Sequence, residues 1–255
     1  MKLATWNVNS IRSRLGRLEA WLRRHRPDVL CLQELKCTDE QFPYEALAGV
    51  GYQSAVFGQK AYNGVAILAR QELRDVRRGF GDGSPDTEAR LISAEIEGVR
   101  VFSAYVPNGQ VVGSEKFTYK LAWLARLADL LRRDFDPAAP IVLAGDFNVA
   151  VSDRDVYDPN AWAESVLCVP EVRGALELVR QWGFVDVFAR FHPEGGVYSW
   201  WDYRRLAFPR NQGLRLDHVY ATAAFTERCT SAYVDRDERK GEKPSDHAPV
   251  VVEWT

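Results

Sequence analysis

The chain has 255 residues, 46% of them apolar, with eight Trp, ten Tyr and twelve Phe; that is core material for one sandwich domain spanning 1–255 and excludes disorder and disulfide-dependent miniproteins. A net charge of −2 excludes coating of nucleic acid by bulk positive charge but leaves room for a local basic face. No apolar run reaches the roughly 20 residues that span a bilayer, and Asn7 and Asn9 interrupt the N-terminus where a signal peptide would be apolar, so cytoplasmic retention without membrane association is expected. Cys31, Cys37, Cys168 and Cys229 lack C-x-x-C spacing and read as reduced core thiols rather than a zinc site.

In chain order, apolar runs at 3–8 and 29–33 flank Ile11, Leu15, Leu18 and Leu22 at helical spacing, which predicts strand, helix, strand. Further strands are predicted at 64–69, 90–96, 99–106, 141–145, 215–221 and 248–254. Helices are predicted at 115–133, where Phe117, Leu121, Leu124, Ala128 and Leu131 form one stripe, and at 170–182. Segments 79–88 and 107–114 read as surface loops. Several strands are apolar throughout, as expected when both faces are covered, which implies a β-sandwich with helices packed outside.

Polar residues stand at strand ends or inside apolar runs: Asn7, Asn9, Glu34, Asp146, Asn148, Asp217, Asp246 and His247. Each alone reads as a cap or turn former. Together they form a set of carboxylate and amide oxygens that matches the hard ligands of Mg²⁺, because a buried carboxylate needs a partner or a metal.

The blocks WNVNSIR (6–12), LQELK (32–36), YVPNG (105–109), GDFNV (145–149), LRLDHV (214–219) and KPSDHAPV (243–250) resemble, in order, the exonuclease III family of apurinic/apyrimidinic endonucleases. That family lies in the endonuclease/exonuclease/phosphatase superfamily, and YSWWDYR (198–204) with GLRLD (213–217) resembles its DNA-repair branch. The resemblance implies a four-layer α/β sandwich, two packed mixed β-sheets flanked by helices as in deoxyribonuclease I-like proteins, and Mg²⁺-dependent phosphoester hydrolysis, with Mn²⁺ as a substitute. It implies incision 5′ to abasic sites in duplex DNA, with 3′-5′ exonuclease and 3′-phosphatase activity, by a monomer that meets damaged DNA in the nucleoid. Double-stranded DNA with abasic sites or blocked 3′ ends is the implied partner.

The resemblance also implies roles. Glu34 is the Mg²⁺ ligand, supported by Asn7, Asn9 and Asp246, with Asp146, Asn148 and His247 also near the ion. Asn9 stands where some members carry aspartate and others asparagine, which favours one metal over two. Tyr105, Asp146, Asn148, Asp217 and His247 form the catalytic set, in which Asp217 raises the His247 pKa and favours it as a donor to phosphate. Trp200 and Leu214 wall a pocket for an extruded sugar, while Arg12, Tyr62 and Asn108 contact DNA. His25 is expected to end an exposed helix, His192 to lie in a loop, His218 to pack beside Asp217, and Trp201 to be the core tryptophan. The rivals are a superfamily phosphatase acting on a small phosphorylated substrate and a catalytically silent DNA-binding module.

Overall fold

Short runs of Val, Ile, Leu and Ala covered on both faces set the architecture, which is seen here in a computed structural model describing residues 1–84 and 87–255. Its strands are β1 (Lys2–Asn7), β2 (Val29–Gln33), β3 (Gln53–Phe57), β4 (Val65–Ala69), β5 (Arg74–Arg78), β6 (Leu91–Ile96), β7 (Val99–Tyr105), β8 (Ile141–Asp146), β9 (Phe184–Asp186), β10 (Asp217–Thr222), β11 (Cys229–Val234) and β12 (Val250–Trp254). The helices are α1 (Ile11–His25), α2 (Tyr44–Ala48), α3 (Glu115–Asp134), α4 (Pro159–Trp162), α5 (Pro170–Arg180), α6 (Val187–Phe191) and α7 (Ala223–Thr226). One six-stranded sheet runs β11, β12, β1, β2, β4, β3 and the other β5, β6, β7, β8, β10, β9. Each sheet mixes parallel and antiparallel pairs.

Three apolar layers separate four layers of structure. Trp6, Leu18, Trp21 and Leu30 fill the space between α1 and the first sheet. Leu3, Ile67, Val101, Val142 and Val219 lie between the sheets, and Phe102, Leu124, Leu127, Leu143 and Leu176 lie between the second sheet and α3 with α5. Each such buried side chain contributes about 1.5–3 kcal/mol. Local signals agree with these packings: α1 ends on Arg23, Arg24 and His25 beside its negative pole, and Ser114 caps α3 by accepting from the Phe117 N–H.

Strand alternation decides where the chemistry sits. Leu3, Val101, Val142, Val219 and their neighbours two residues on face the opposite sheet, and at one end this apolar series gives way to Asn7, Tyr105, Asp146 and Asp217. Tyr105 pairs with Asp146 in register across β7 and β8, and Asp146 with Asp217 across β8 and β10. Close approach of β7 to β8 requires Gly145, since a Cβ there would lie 1.9 Å from the Ala104 carbonyl oxygen.

Sequence and structure differ in places with identifiable causes. Strands β3, β5, β9 and β11 are not predicted: β5 is RDVRR, an edge strand exposed at every residue, and β9 is three residues long. Polar edge strands carry little periodic signal. Pairing in β10 begins at Asp217 and in β12 at Val250, two residues later than predicted, and α5 ends at Arg180. Of the loop predicted at 79–88, Pro85 and Asp86 lie outside the described residues. All four cysteines are free and buried, and Trp201 is fully buried. His25 ends α1 but is not free on an exposed face: its ring stacks on Trp21 and lies 3.1 Å from Asp235. His192 caps α6 and bonds the Ala232 carbonyl. His218 turns away from Asp217, because adjacent strand residues face opposite sides; it stacks on Tyr220 and bonds the Val149 carbonyl. Among the described residues no helix is long and apolar enough to cross a membrane.

Candidate active site

The ends of β1, β2, β7 and β8 and the start of β10 converge on a cavity of about 300 Å³ lined by Glu34, Tyr105, Asn108, Asp146, Asn148, Leu167, Trp200, Leu216, Asp246 and His247. Two groups of side chains face each other across it, linked by Asn7. The fully buried Asn7 amide donates to Glu34 Oε1 at 3.1 Å and to Asp146 Oδ2 at 2.9 Å, while its oxygen accepts from the Asn9 N–H.

On one side, Glu34 leaves β2 in a left-handed conformation, φ 53°, which turns its carboxylate into the cavity mouth. Oε1 accepts from the Tyr105 hydroxyl at 2.7 Å, and Oε2 lies 2.9 Å from the Lys36 ammonium. Burial would raise the Glu34 pKa, but the Lys36 charge and the hydrogen bonds from Lys36, Tyr105 and Asn7 outweigh it and hold the carboxyl below its usual range. Burial, with Glu34 and Asp146 adding, pushes the Tyr105 hydroxyl well above 10, so it remains a donor.

On the other side, His247 stands between two carboxylates. Its Nδ1 lies 2.8 Å from Asp217 Oδ2 and its Nε2 3.6 Å from Asp146 Oδ2. Burial alone would lower the imidazole pKa, but Asp217 and then Asp146 raise it, to about 10. Burial raises Asp146 to about 7, with the Asp217 charge adding and the His247 charge opposing. The pair therefore holds its proton on His247 near neutrality. Asp146, Asp217 and His247 offer ligand atoms within 4.8 Å of one another.

Asn148 follows β8 at φ 50° and reaches Asp146 through its backbone N–H at 2.9 Å and its amide at 3.4 Å. Asn108 donates to Asn148 Oδ1 at 3.1 Å. Asp246 is anchored twice, accepting from Asn9 Nδ2 at 2.9 Å and Trp200 Nε1 at 3.0 Å. Burial would raise its pKa; the His247 charge and those two bonds hold it low.

Not every residue singled out in the sequence reaches the cavity. Leu214 is fully buried and does not line the cavity, but a two-way antiparallel backbone bridge pairs it with Trp200, so the two side chains share one face and pack in the same core cluster. The apolar residues that line the cavity together with Trp200 are Leu216 and Leu167. Arg12, exposed in the first turn of α1, and Tyr62, 70% exposed, do not line the cavity. Two lysines join the site without having been assigned a role from sequence. Lys36 lies within LQELK and bridges Glu34 to Asn9 Oδ1 at 2.6 Å. Lys120 is fully buried behind Asn108 and Asn148; its only sequence signal is a charge on the apolar stripe of α3. Desolvation pushes the Lys120 pKa down to about 7, opposed by Asp146, while three backbone carbonyls accept from its ammonium and favour the charged form.

Residues 4–247 match the Endonuclease/Exonuclease/phosphatase family. Exodeoxyribonuclease III of Haemophilus influenzae is 37% identical over 266 residues, covering 100% of both chains. An AP endonuclease from Archaeoglobus fulgidus superposes with a TM-score of 0.97 at 42% identity, covering 100% of this chain and 99% of that one. A 3′ phosphatase from Neisseria, bound to a product DNA hairpin, gives a TM-score of 0.97 at 40% identity with the same coverage. With a family match across nearly its whole length and full-length relatives at this level of identity, the chain belongs to the endonuclease/exonuclease/phosphatase family.

Proposed function

We propose that this chain is a DNA-repair nuclease that uses Mg²⁺ to cut duplex DNA 5′ to abasic sites and to trim blocked or intact 3′ ends, acting as a single-domain monomer in the cytoplasm and on damaged nucleoid DNA. The observation that carries the reading is His247 held between Asp217 and Asp146, facing Glu34 and Tyr105 across one cavity.

Phosphodiester hydrolysis needs a water, a base, donors for the phosphate oxygens and positive charge near the leaving oxygen. Asp146 is the base: desolvation raises it to about 7, where it is basic enough to take a proton from water yet ionised in a large fraction of molecules at neutral pH. His247, kept protonated by Asp217, donates from Nε2 to a phosphate oxygen. Asn148 and Asn108 add amide donors on the same wall. Tyr105 keeps its proton and orients Glu34.

Glu34 fits a hard divalent cation: it is anionic, mostly enclosed, and one of its oxygens is matched by the Lys36 ammonium, a charge that such an ion would replace. Asp246, with Asn9 beside it, supplies further oxygen donors on the cavity rim, while Asn7 acts through Glu34 and Asp146 by donating to both. His247 fits a proton carrier better than a ligand, since both nitrogens face carboxylates. A cation at Glu34 supplies charge neutralisation for the phosphate and leaving oxygens. Trp200, Leu167 and Leu216 form an apolar wall suited to a sugar without its base, and the exposed Arg12 and Tyr62 serve as DNA contacts outside the cavity.

The test is a set of three duplexes, with one tetrahydrofuran site, with a 3′-phosphate, and with an intact 3′ hydroxyl end. Mg²⁺-dependent incision of the first supports the reading, and inorganic phosphate released from small phosphate esters with no cleavage of any duplex would replace it with a small-molecule phosphatase.

A further inference from the structure

Lys120 lies in the second turn of α3 with no exposed surface, yet α3 otherwise presents Phe117, Leu124, Leu127 and Leu131 to the core. Burying an ammonium is costly unless each of its hydrogens finds an acceptor. Here Nζ donates to three backbone carbonyls, those of Asn148 at 2.7 Å, Val166 at 2.8 Å and Asn108 at 3.0 Å. Three donors meet three acceptors.

Those carbonyls come from three separate loops, and each loop places a neighbouring or identical residue on the cavity: Asn108 after β7, Asn148 after β8, and Leu167 beside Val166 after α4. Further bonds tie the loops together. Asn108 donates to Asn148 Oδ1, Asn148 donates to the Val106 carbonyl, and the Ala150 N–H donates to the Leu167 carbonyl. The 107–110 loop also wraps the lysine stem closely, for a Cβ on Gly109 would lie 3.1 Å from Lys120 Cδ.

We propose that Lys120 is a positioning residue for the phosphate-binding wall: its ammonium pins the three loops so that the Asn108 and Asn148 amides and Leu167 are held at fixed positions in the cavity. The assignment rests on the nuclease reading for its kinetic consequence but not for its structural one. An uncharged side chain leaves three carbonyls without this donor, those of Asn148 and Val166 in buried bonds and that of Asn108 in a part-buried one, and the loops they belong to relax. Misplacement of a reacting group by about 1 Å costs on the order of 100-fold in rate, which sets the scale of the expected loss.

The experiment compares wild type, Lys120→Met, Lys120→Arg and Leu127→Ala, the last a core truncation on the same helix that leaves the loops tied. Hydrogen exchange should rise in segments 106–110, 147–150 and 165–168 of Lys120→Met and remain as in wild type there for Leu127→Ala. On a tetrahydrofuran duplex, kcat of Lys120→Met should fall by roughly 10- to 100-fold with KM within threefold, and the same substitution should cost less than threefold when made in Asn148→Ala. Lys120→Arg keeps the charge and should show a smaller fall with the same dependence on Asn148; it carries the test if the Met variant does not fold. Unchanged exchange in the three segments, or a kcat loss no greater than that of Leu127→Ala, or an undiminished loss in Asn148→Ala, would overturn the proposal. If wild type does not cut the duplex, the nuclease reading fails and the exchange measurement still decides whether Lys120 is the tie.

Discussion

Asp146 and Asp217 are register partners on antiparallel β8 and β10, and their side chains share one imidazole: His247 lies 2.8 Å from the second and 3.6 Å from the first. Two carboxylates this close in a buried site cannot both be unpaired anions. The His247 charge lies between them, and in the proposed mechanism the same arrangement separates a proton donor from a base.

A pH profile follows from this pair. Asp146, raised to about 7 by burial with Asp217 adding, must lose its proton to act, so kcat/KM should rise with pH through the neutral range. His247, raised to about 10 chiefly by Asp217 against the cost of burial, must keep its proton, so activity should fall on the alkaline side. Asp217→Asn removes the anion that raises both groups, and both limbs should move to lower pH. Limbs that stay in place in the variant would mean other groups titrate.

Loss of either member of the pair should be nearly as damaging as loss of both. Asp146→Asn and His247→Asn are each expected to lower kcat by several orders of magnitude while leaving DNA affinity largely intact, and the double variant should be little worse than the poorer single. Single-turnover incision with a parallel binding titration measures this. Multiplying losses would show two independent groups.

Glu34→Gln keeps the shape and removes the charge that faces Lys36 and the proposed Mg²⁺. Half-saturating Mg²⁺ for incision should rise by an order of magnitude or more, since hard cations depend on anionic oxygen. An unchanged half-saturation point would take Glu34 off the list of ligands.

Trp200, oriented by its bond to Asp246, should set selectivity rather than chemistry. Losing a few tens of Å² of apolar contact costs about 1 kcal/mol at roughly 25 cal/mol per Å², which is several-fold in rate. In Trp200→Ala the ratio of kcat/KM on abasic over intact duplex should therefore shrink several-fold. Equal proportional losses on both substrates, with the fold intact by circular dichroism, would assign the tryptophan to packing alone.

Gly145→Ala tests the strand geometry beneath the site. The added methyl would stand 1.9 Å from the Ala104 carbonyl oxygen, so β7 or β8 must shift. Destabilisation at or above the top of the ~1–3 kcal/mol range for overpacking is expected in urea unfolding. A variant as stable as wild type would show that the two strands have room to separate.

Within the sequence, apolar runs with helical or strand spacing were enough to place α1, α3, β1, β2, β7 and β8, because a side chain's periodicity is a property of its own strand or helix. The polar residues that break those runs were visible for the same reason: Asn7, Glu34, Asp146 and Asp217 each stand where an apolar series stops. Edge strands such as RDVRR at β5 were not visible, since their pairing partner supplies the order and their own faces are solvated. Only the tertiary structure decided which polar residues meet. Asn7 touching both Glu34 and Asp146 depends on how two sheets stack, and that Leu214 lies beside Trp200 depends on a backbone bridge between distant segments. Lys120 is the clearest case: in sequence it is one charge on an amphipathic helix, and its meaning comes from three carbonyls contributed by residues 12, 28 and 46 positions away.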